Sequence, residues 1–360
     1  MTATLKPSAE NLFQEEIDIL KAWDKANNNR LPTSWQLSPQ AVVKLIIGGE
    51  ANGNSISRKY YGADREVQVA VATLTTDRAL LLYGPPGTGK STLSELLAAG
   101  ISGNSQLIVQ GTAGISEEKV LYEWDYAHRL SKGTDADALV KTPIFRAMET
   151  GAVARVEELT RIPSDVQDAL ITILSEKMMP IPELNSVVMA NQGFNIIATA
   201  NDKDKGVNDL SKALARRFNT VRLELPTDMD TEVEIVKSKV IKNSNNNDIP
   251  VPNNAVEEIQ RVVRIFRELR SGEAGTEKVE KPSATMSPAE AISVVSQAIN
   301  MAAYFGDGSG NIDASHIANG LEGVVVKEAE DRQVFRNYVD RVLKTRAKDR
   351  DLEDALRAIV

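Results

Sequence analysis

The chain contains no cysteine and only two histidines, His128 and His316. Disulfides, thiolate zinc sites and cysteine nucleophiles are therefore excluded, and so is a metal site built from several imidazoles. Long apolar runs are also missing. The longest, such as "ALLLYG", fall far short of the ~20 residues that a membrane-spanning helix needs. The first residues, "MTATLKPSAENLFQEE", lack the apolar core of a signal peptide, so a cytoplasmic location without a membrane partner is expected. Basic charge is in deficit too. The formal net charge is -8, which argues against a general nucleic-acid-binding surface.

What remains is an ordinary globular composition, 42% hydrophobic and 26% charged over 360 residues, long enough for about two domains. Residues 8–28 form an amphipathic pattern with Leu12, Phe13, Ile17, Leu20 and Trp23 at helical spacing. A second helix is predicted from Ser38-Pro39, a cap followed by proline in the first turn, to Gly48-Gly49. "REVQVAVATLTT" predicts a third. From residue 78 to about 226, short apolar strands alternate with helical segments: "RALLLYG", "QLIVQG", "AVARVEE", "FNIIATAN" and "TVRLELP". That alternation predicts an α/β core with a parallel sheet flanked by helices. "EKMMPIPELNSVVMANQG" fits a hairpin excursion between the third and fourth strands.

After Pro226 the pattern turns helical. "NNAVEEIQRVVRIFRELRSG" places Val256, Ile259, Val263, Phe266 and Leu269 on one face and ends at Gly272. Residues 271–285 read as a loop. "SPAEAISVVSQAINMAAYFG" opens with Ser287 as cap, Pro288 next and Glu290 completing a capping box. The expected organisation is an N-terminal helical segment over 1–57, an α/β core over 58–226 and an all-α C-terminal domain over 227–360.

The strongest motif is "GPPGTGKST", Gly84-Pro85-Pro86-Gly87-Thr88-Gly89-Lys90-Ser91-Thr92, which satisfies the P-loop pattern directly after a strand and at the start of a helix. Its glycines let backbone N–H groups turn toward phosphate oxygens, and the helix N-terminus adds positive potential. Lys90 is positioned to reach the terminal phosphates of ATP, and the Ser91 hydroxyl to ligate Mg²⁺. Such a site also needs a carboxylate at the end of a neighbouring strand, and hydrolysis needs a second group to prime water. "AVARVEE" ends in Glu157 and Glu158, which fit those two tasks: Glu157 as the magnesium carboxylate and Glu158 as the catalytic base. Arg155, inside the same strand, is expensive to bury unpaired. It is expected near the exposed end of the strand or paired with a carboxylate.

Taken in order, the motifs resemble the AAA+ ATPases, and among them the MoxR family of the helix-two-insert group, over roughly residues 58–345. "TPIFRAMETGAVARVEELTRIPSDVQDALITILSEK" is similar to that family's magnesium-and-glutamate stretch, where aspartate precedes glutamate. The resemblance places Glu157 at the magnesium aspartate, Glu158 at the catalytic glutamate and Arg161 at the arginine that follows. It makes "NIIATAN" the sensor-one strand, with Asn201 at its tip. It also makes "LSKALARRFNTVRL" the arginine-finger segment, with Arg217 the better match and Arg216 the competitor. A finger acting on a neighbour's nucleotide implies a homo-oligomeric ring, usually a hexamer.

The family's sensor-two arginine is not matched, because "TMSPAEAIS" offers Ala289 and Glu290 there. Arg267 or Arg270 is the substitute in reach of the sequence. The resemblance further implies the presensor hairpin over 175–193 and a pore-facing segment in which Tyr122, Trp124 and Tyr126 grip a client or pack as core. It also implies a von Willebrand factor A domain protein as partner. The expected function is Mg²⁺-dependent ATP hydrolysis that remodels or activates a protein. A nucleotide-gated switch with little turnover, a chelatase-type motor and a DNA-translocating motor are the alternatives.

Overall fold

The computed structural model describes residues 5–202 and 210–359. It divides into two compact units. The first comprises residues up to Pro85 together with Gly89–Glu224, and the second runs from Leu225 onward and also takes in Pro86–Thr88. Among the described residues, no helix is long and apolar enough to cross a membrane.

The first unit is built on five strands: Ala79–Gly84 (β1), Ile108–Gln110 (β2), Val153–Glu157 (β3), Asn195–Asn201 (β4) and Phe218–Arg222 (β5). They pair in parallel in the order β5-β1-β4-β3-β2. Strands covered on both faces read as near-continuous apolar runs. β1 and β4 supply them: Ala79, Leu80 and Leu82 are fully buried, as are Ile196, Ile197 and Ala198. The parallel sheet flanked by helices is as the strand–helix alternation predicts. β5 begins at Phe218, two residues ahead of the predicted start, and ends at Arg222 before the "LELP" run. Leu223 still donates its N–H to Tyr83 at 2.7 Å.

The order of strands carries the chain from β1 across two positions to β2. The C-terminal ends of β1, β4 and β3 are therefore adjacent, which is where open α/β sheets bind ligands. The helix that follows β1, Lys90–Ser102 (α1), packs its Leu93, Leu96 and Leu97 into the same core as Leu80 and Leu82. The N-terminal segment joins this core. Its helix breaks at Phe13 into Ala9–Leu12 and Gln14–Ala26, burying Ile17 and Leu20 while Leu12 stays exposed. Asp24, buried, accepts from the Ser38 N–H at 2.7 Å and hydroxyl at 2.5 Å. Ser38 in turn caps the helix Pro39–Ile47 as its sequence predicts.

Two hairpins interrupt the core. Tyr122–Trp124 pairs with Leu139–Lys141 ahead of the helix Pro143–Thr150, and Met178–Ile181 pairs with Ser186–Met189 where the excursion is predicted. Glu183 at the second hairpin's turn accepts from the Tyr122 hydroxyl at 3.1 Å and the Trp124 indole at 3.3 Å.

The second unit is helical, with Met229–Asn246 (α2), Ala255–Ser271 (α3), Pro288–Phe305 (α4), Ala314–Val325, Ala329–Arg341 and Arg350–Arg357. α3 buries Ile259, Val263, Phe266 and Leu269. Val256, predicted on the same stripe, is 46% exposed, because the packed face takes Ala255, Val262 and Ile265 instead. The predicted capping box at Ser287 and Glu290 is formed. The predicted loop over 271–285 contains a small ladder, Glu273–Ala274 against Glu277–Lys278.

Gly84 closes β1 at φ 151°, where a Cβ would stand 2.1 Å from the Leu223 carbonyl oxygen. Backbone in that region favours glycine, and the close approach of Leu223, just past β5, forbids a side chain. Gly84→Ala is expected to lose about 1–3 kcal/mol of unfolding free energy, read as a lower urea midpoint at an unchanged slope.

Candidate functional site

The adjacent strand ends assemble the site. Asn201 pairs in register with Gly84, so the tip of β4 lies beside the first residue of the P-loop. The loop turns through Pro85, Pro86, Gly87 and Thr88 to Gly89, whose left-handed backbone (φ 81°) sets it as the N-cap of α1. Glycine has no side chain to cap the helix, and none does. The first-turn N–H groups and the helix dipole point out of this turn, the arrangement that binds phosphate oxygens. Lys90 is buried, and its ammonium donates to the carbonyls of Gly84 at 2.9 Å and Pro85 at 2.7 Å. Ser91 and Thr92 follow on the first turn.

Ser91 meets the neighbouring strand. Its hydroxyl donates to Oε2 of Glu157 at 2.7 Å, leaving the oxygen lone pairs free to face a cation. The Glu157 carboxylate is buried and takes three further donors. Thr199 of β4 reaches Oε2 at 2.7 Å, while Ser94 of α1 and the Arg155 guanidinium reach Oε1 at 2.5 and 2.8 Å. Burial pushes this carboxyl up, but the Ser94 and Ser91 hydrogen bonds, the Arg155 charge and Thr199 together outweigh it and hold the group below the usual glutamate range. It is ionised at neutral pH. Among the described residues there is no cluster of three acidic or histidine side chains that could hold a metal. One hydroxyl beside one carboxylate suits Mg²⁺, which takes few protein oxygens and completes its shell with phosphates and water.

Glu158 leaves the strand in the left-handed region, φ 54° and ψ 48°, a costly conformation for a residue with a side chain. Its N–H donates to the Thr199 hydroxyl at 3.0 Å. The turn separates the two adjacent carboxylates. Glu157 points inward, and Glu158 stands at a solvent-open rim, where Arg161 donates to it at 3.0 Å.

Arg217 and Arg216 lie together just before β5, away from the Glu157 cluster in sequence and held by different partners. The Arg217 guanidinium donates to the Ser175 hydroxyl at 2.9 Å and to the Ala213 carbonyl at 2.5 Å. Arg216 is exposed, and its carbonyl accepts from Arg78 at 2.6 Å. In the second unit, Arg267 and Arg270 both donate to the buried carboxylate of Glu232, Arg267 at 3.1 Å. They also serve the carbonyls of Pro226, Thr227 and Met286. Of the three aromatics in the predicted client-gripping segment, Trp124 is buried in the core and Tyr122 is half-buried, so only Tyr126 is exposed.

Arg155 is not at an exposed strand end. It is buried, and the other expectation holds: it pairs with a carboxylate, that of Glu157. Sequence reading misses Ser94, Ser105 and Thr199. The signal for Ser94 is its i,i+3 spacing from Ser91, which puts both hydroxyls on one helix face. The signal for Arg155 is its i,i+2 spacing from Glu157, which puts both on one face of the sheet.

Two family models match the chain in order. The AAA domain of the dynein-related subfamily covers residues 79–218, and the YehL-like AAA+ ATPase C-terminal domain covers residues 230–353. The protein YehL of Escherichia coli (strain K12) is 38% identical over 346 residues, spanning 94% of this chain and 93% of that protein. The gas vesicle ATPase GvpN1 of Halobacterium salinarum is 28% identical over 212 residues, 55% of this chain and 58% of its own length. Among solved structures, NtrX from Brucella abortus superposes with a TM-score of 0.51 at 12% identity, over 82% of this chain and 64% of that one, a likeness of fold. The P-loop site, the MoxR-like motif order and a relative matched almost end to end agree: this chain belongs to the YehL-like AAA+ ATPases.

Proposed function

We propose that this protein hydrolyses ATP in a Mg²⁺-dependent reaction, within a homo-oligomeric ring, usually a hexamer in such families, to remodel or activate a protein partner. The observation that carries this reading is the hydrogen bond from the P-loop Ser91 to Glu157, with Glu158 next on the same strand end. The name of GvpN1 as an ATPase supports the same chemistry. In this reading the P-loop from Gly84 to Thr92, through the backbone N–H groups after Pro86, and the Lys90 ammonium hold the phosphates. Ser91 and Glu157 hold Mg²⁺, which when bound supplies charge neutralisation across the phosphates.

Glu158 accepts the proton of the attacking water at its carboxylate, and the Asn201 amide orients that water. The water oxygen bonds to the γ-phosphorus as the bond to the β-phosphate oxygen breaks, giving ADP and phosphate. Arg161 holds the Glu158 carboxylate at the rim. Arg217, set on the helix end by Ser175, is the finger that reaches the neighbouring subunit's nucleotide, with exposed Arg216 as the alternative. The partner is a protein client, with a von Willebrand factor A domain protein as the class to test first by co-purification.

A second reading is a nucleotide-gated switch that binds ATP tightly and turns it over negligibly. The Glu158–Arg161 pair favours it, because a carboxylate held by an arginine at the rim has to leave that contact to reach the attacking water.

Phosphate release by the assembled protein separates the two. Under the hydrolase reading, Glu158→Gln lowers turnover by ~10²–10⁴-fold while ATP binding persists. A wild-type rate no higher than that of Glu158→Gln selects the switch. Arg217→Ala is expected to lower turnover by ~10³ or more, with Arg216→Ala far milder. The reverse ranking would transfer the finger to Arg216. Chelation of Mg²⁺ with EDTA is expected to stop phosphate release entirely.

A further inference from the structure

Arg155 is the least expected side chain in the first unit: a guanidinium inside a buried strand, next but one to the carboxylate of the phosphate site. Its side chain is 7% exposed and that of Glu157 is 4% exposed. Every branch of the fork is used. Nε donates to the Ser94 hydroxyl at 3.0 Å, Nη1 to the Ser105 carbonyl at 2.9 Å, and Nη2 to the Ser91 carbonyl at 3.2 Å and to Glu157 Oε1 at 2.8 Å. The arginine thus spans the backbone of α1's first turn and the strand that carries Glu157.

The two oxygens of Glu157 have distinct environments. Oε1 is tied back by Arg155 and Ser94, while Oε2 faces Ser91 and Thr199. A glutamate is one methylene longer than the aspartate of the resembling families. The Arg155–Ser94 clamp takes up that length by holding one oxygen inward, so that the other meets Ser91. The clamp also adds a fixed positive charge directly against the carboxylate. A carboxylate neutralised in this way attracts a cation less than a free one, and it repels phosphate less.

We infer that Arg155 is a positioning residue that acts through Glu157 as its fixed counter-charge and sets the cation dependence of nucleotide binding, lowering the site's pull on Mg²⁺ and raising its affinity for metal-free nucleotide. This rests on the reading of Ser91 and Glu157 as the Mg²⁺-holding pair. A residue that merely filled space in the strand would shift binding equally with and without the metal. A counter-charge shifts the two in opposite directions.

The test is ADP binding by titration calorimetry on the full-length protein, once in excess Mg²⁺ and once in EDTA, for wild type, Arg155→Met, Arg155→Gln and Arg155→Lys. The factor by which Mg²⁺ tightens ADP binding is expected to rise about tenfold in the neutral Met and Gln variants, through weaker binding in EDTA. It is expected to stay near the wild-type value in the Lys variant, which keeps the charge. Adding Glu157→Gln to Arg155→Met restores neutrality and brings the factor back to the wild-type value or below it. Thermal unfolding shows which variants are folded, and if the Met variant is not, the Gln and Lys pair carries the same comparison.

A wild-type protein that binds ADP with no Mg²⁺ effect would overturn the magnesium reading of Ser91 and Glu157 and this inference with it. A normal Mg²⁺ effect in the wild type that is unchanged in the neutral variants overturns the role of Arg155 alone. So does a loss of equal size in both buffers.

Discussion

The first unit turns on one buried carboxylate. Glu157 collects donors from α1, from its own strand β3 and from β4, so a single side chain fixes the P-loop helix against the middle of the sheet. Moving an ion pair out of water is expensive, and attraction between the partners repays it only when the remaining hydrogen-bonding positions are also filled. Here they are: each carboxylate oxygen has two donors, and each nitrogen of the guanidinium has an acceptor. Removing Arg155 or Glu157 alone leaves the other buried without its counter-charge. The shared donors hold Ser91 and the strand end in hydrogen-bonding register.

The backbone at Glu158 completes that logic. Had the strand continued, Glu158 would have pointed to the opposite face of the sheet by simple alternation. The left-handed turn instead lifts it to the rim, with its N–H on the same Thr199 hydroxyl that serves Glu157. Thr199 therefore couples the buried carboxylate to the strained residue after it. Strain of this kind persists only where the surroundings over-determine it. The hydroxyl on one side and the Arg161 pair on the other do so here.

Much of this was legible in the sequence. β1 and β4 announce themselves as strands because their middles are continuous apolar runs, the P-loop because its glycines fall at fixed spacing, and the α4 start because Ser287, Pro288 and Glu290 together leave little else possible. The pairing of Arg155 was legible only as a pair of alternatives, since alternation says which residues share a face but not how deep the face lies. Ser94 and Thr199 were out of reach for a different reason. Each matters through strand register and helix placement, which come from the whole sheet rather than from any local run. Trp124 was likewise legible only as alternatives, gripping a client or packing as core, and it packs as core. Val256 is the miss, an apolar residue expected in the core that is exposed. Local pattern records hydrophobicity and leaves the partner surface unspecified.

The same economy of charge runs through the second unit. Glu232 is buried between Arg267 and Arg270; burial pushes its carboxyl up, and the two arginines oppose that without cancelling it. Those arginines also bind three main-chain carbonyls of their own unit, so their donors are spent on holding α2 to α3. Glu290, at the position where related families carry an arginine, is spent as well, its carboxylate closing the capping box on Ser287. The first unit, for its part, brings positive potential to its phosphate site in two ways. Lys90 and the N-terminus of α1 supply positive potential directly, and Arg155 supplies it indirectly by cancelling Glu157. A buried arginine that looks misplaced in a strand thus answers a departure within its own unit, a carboxylate one methylene longer than aspartate, by holding one of its oxygens inward.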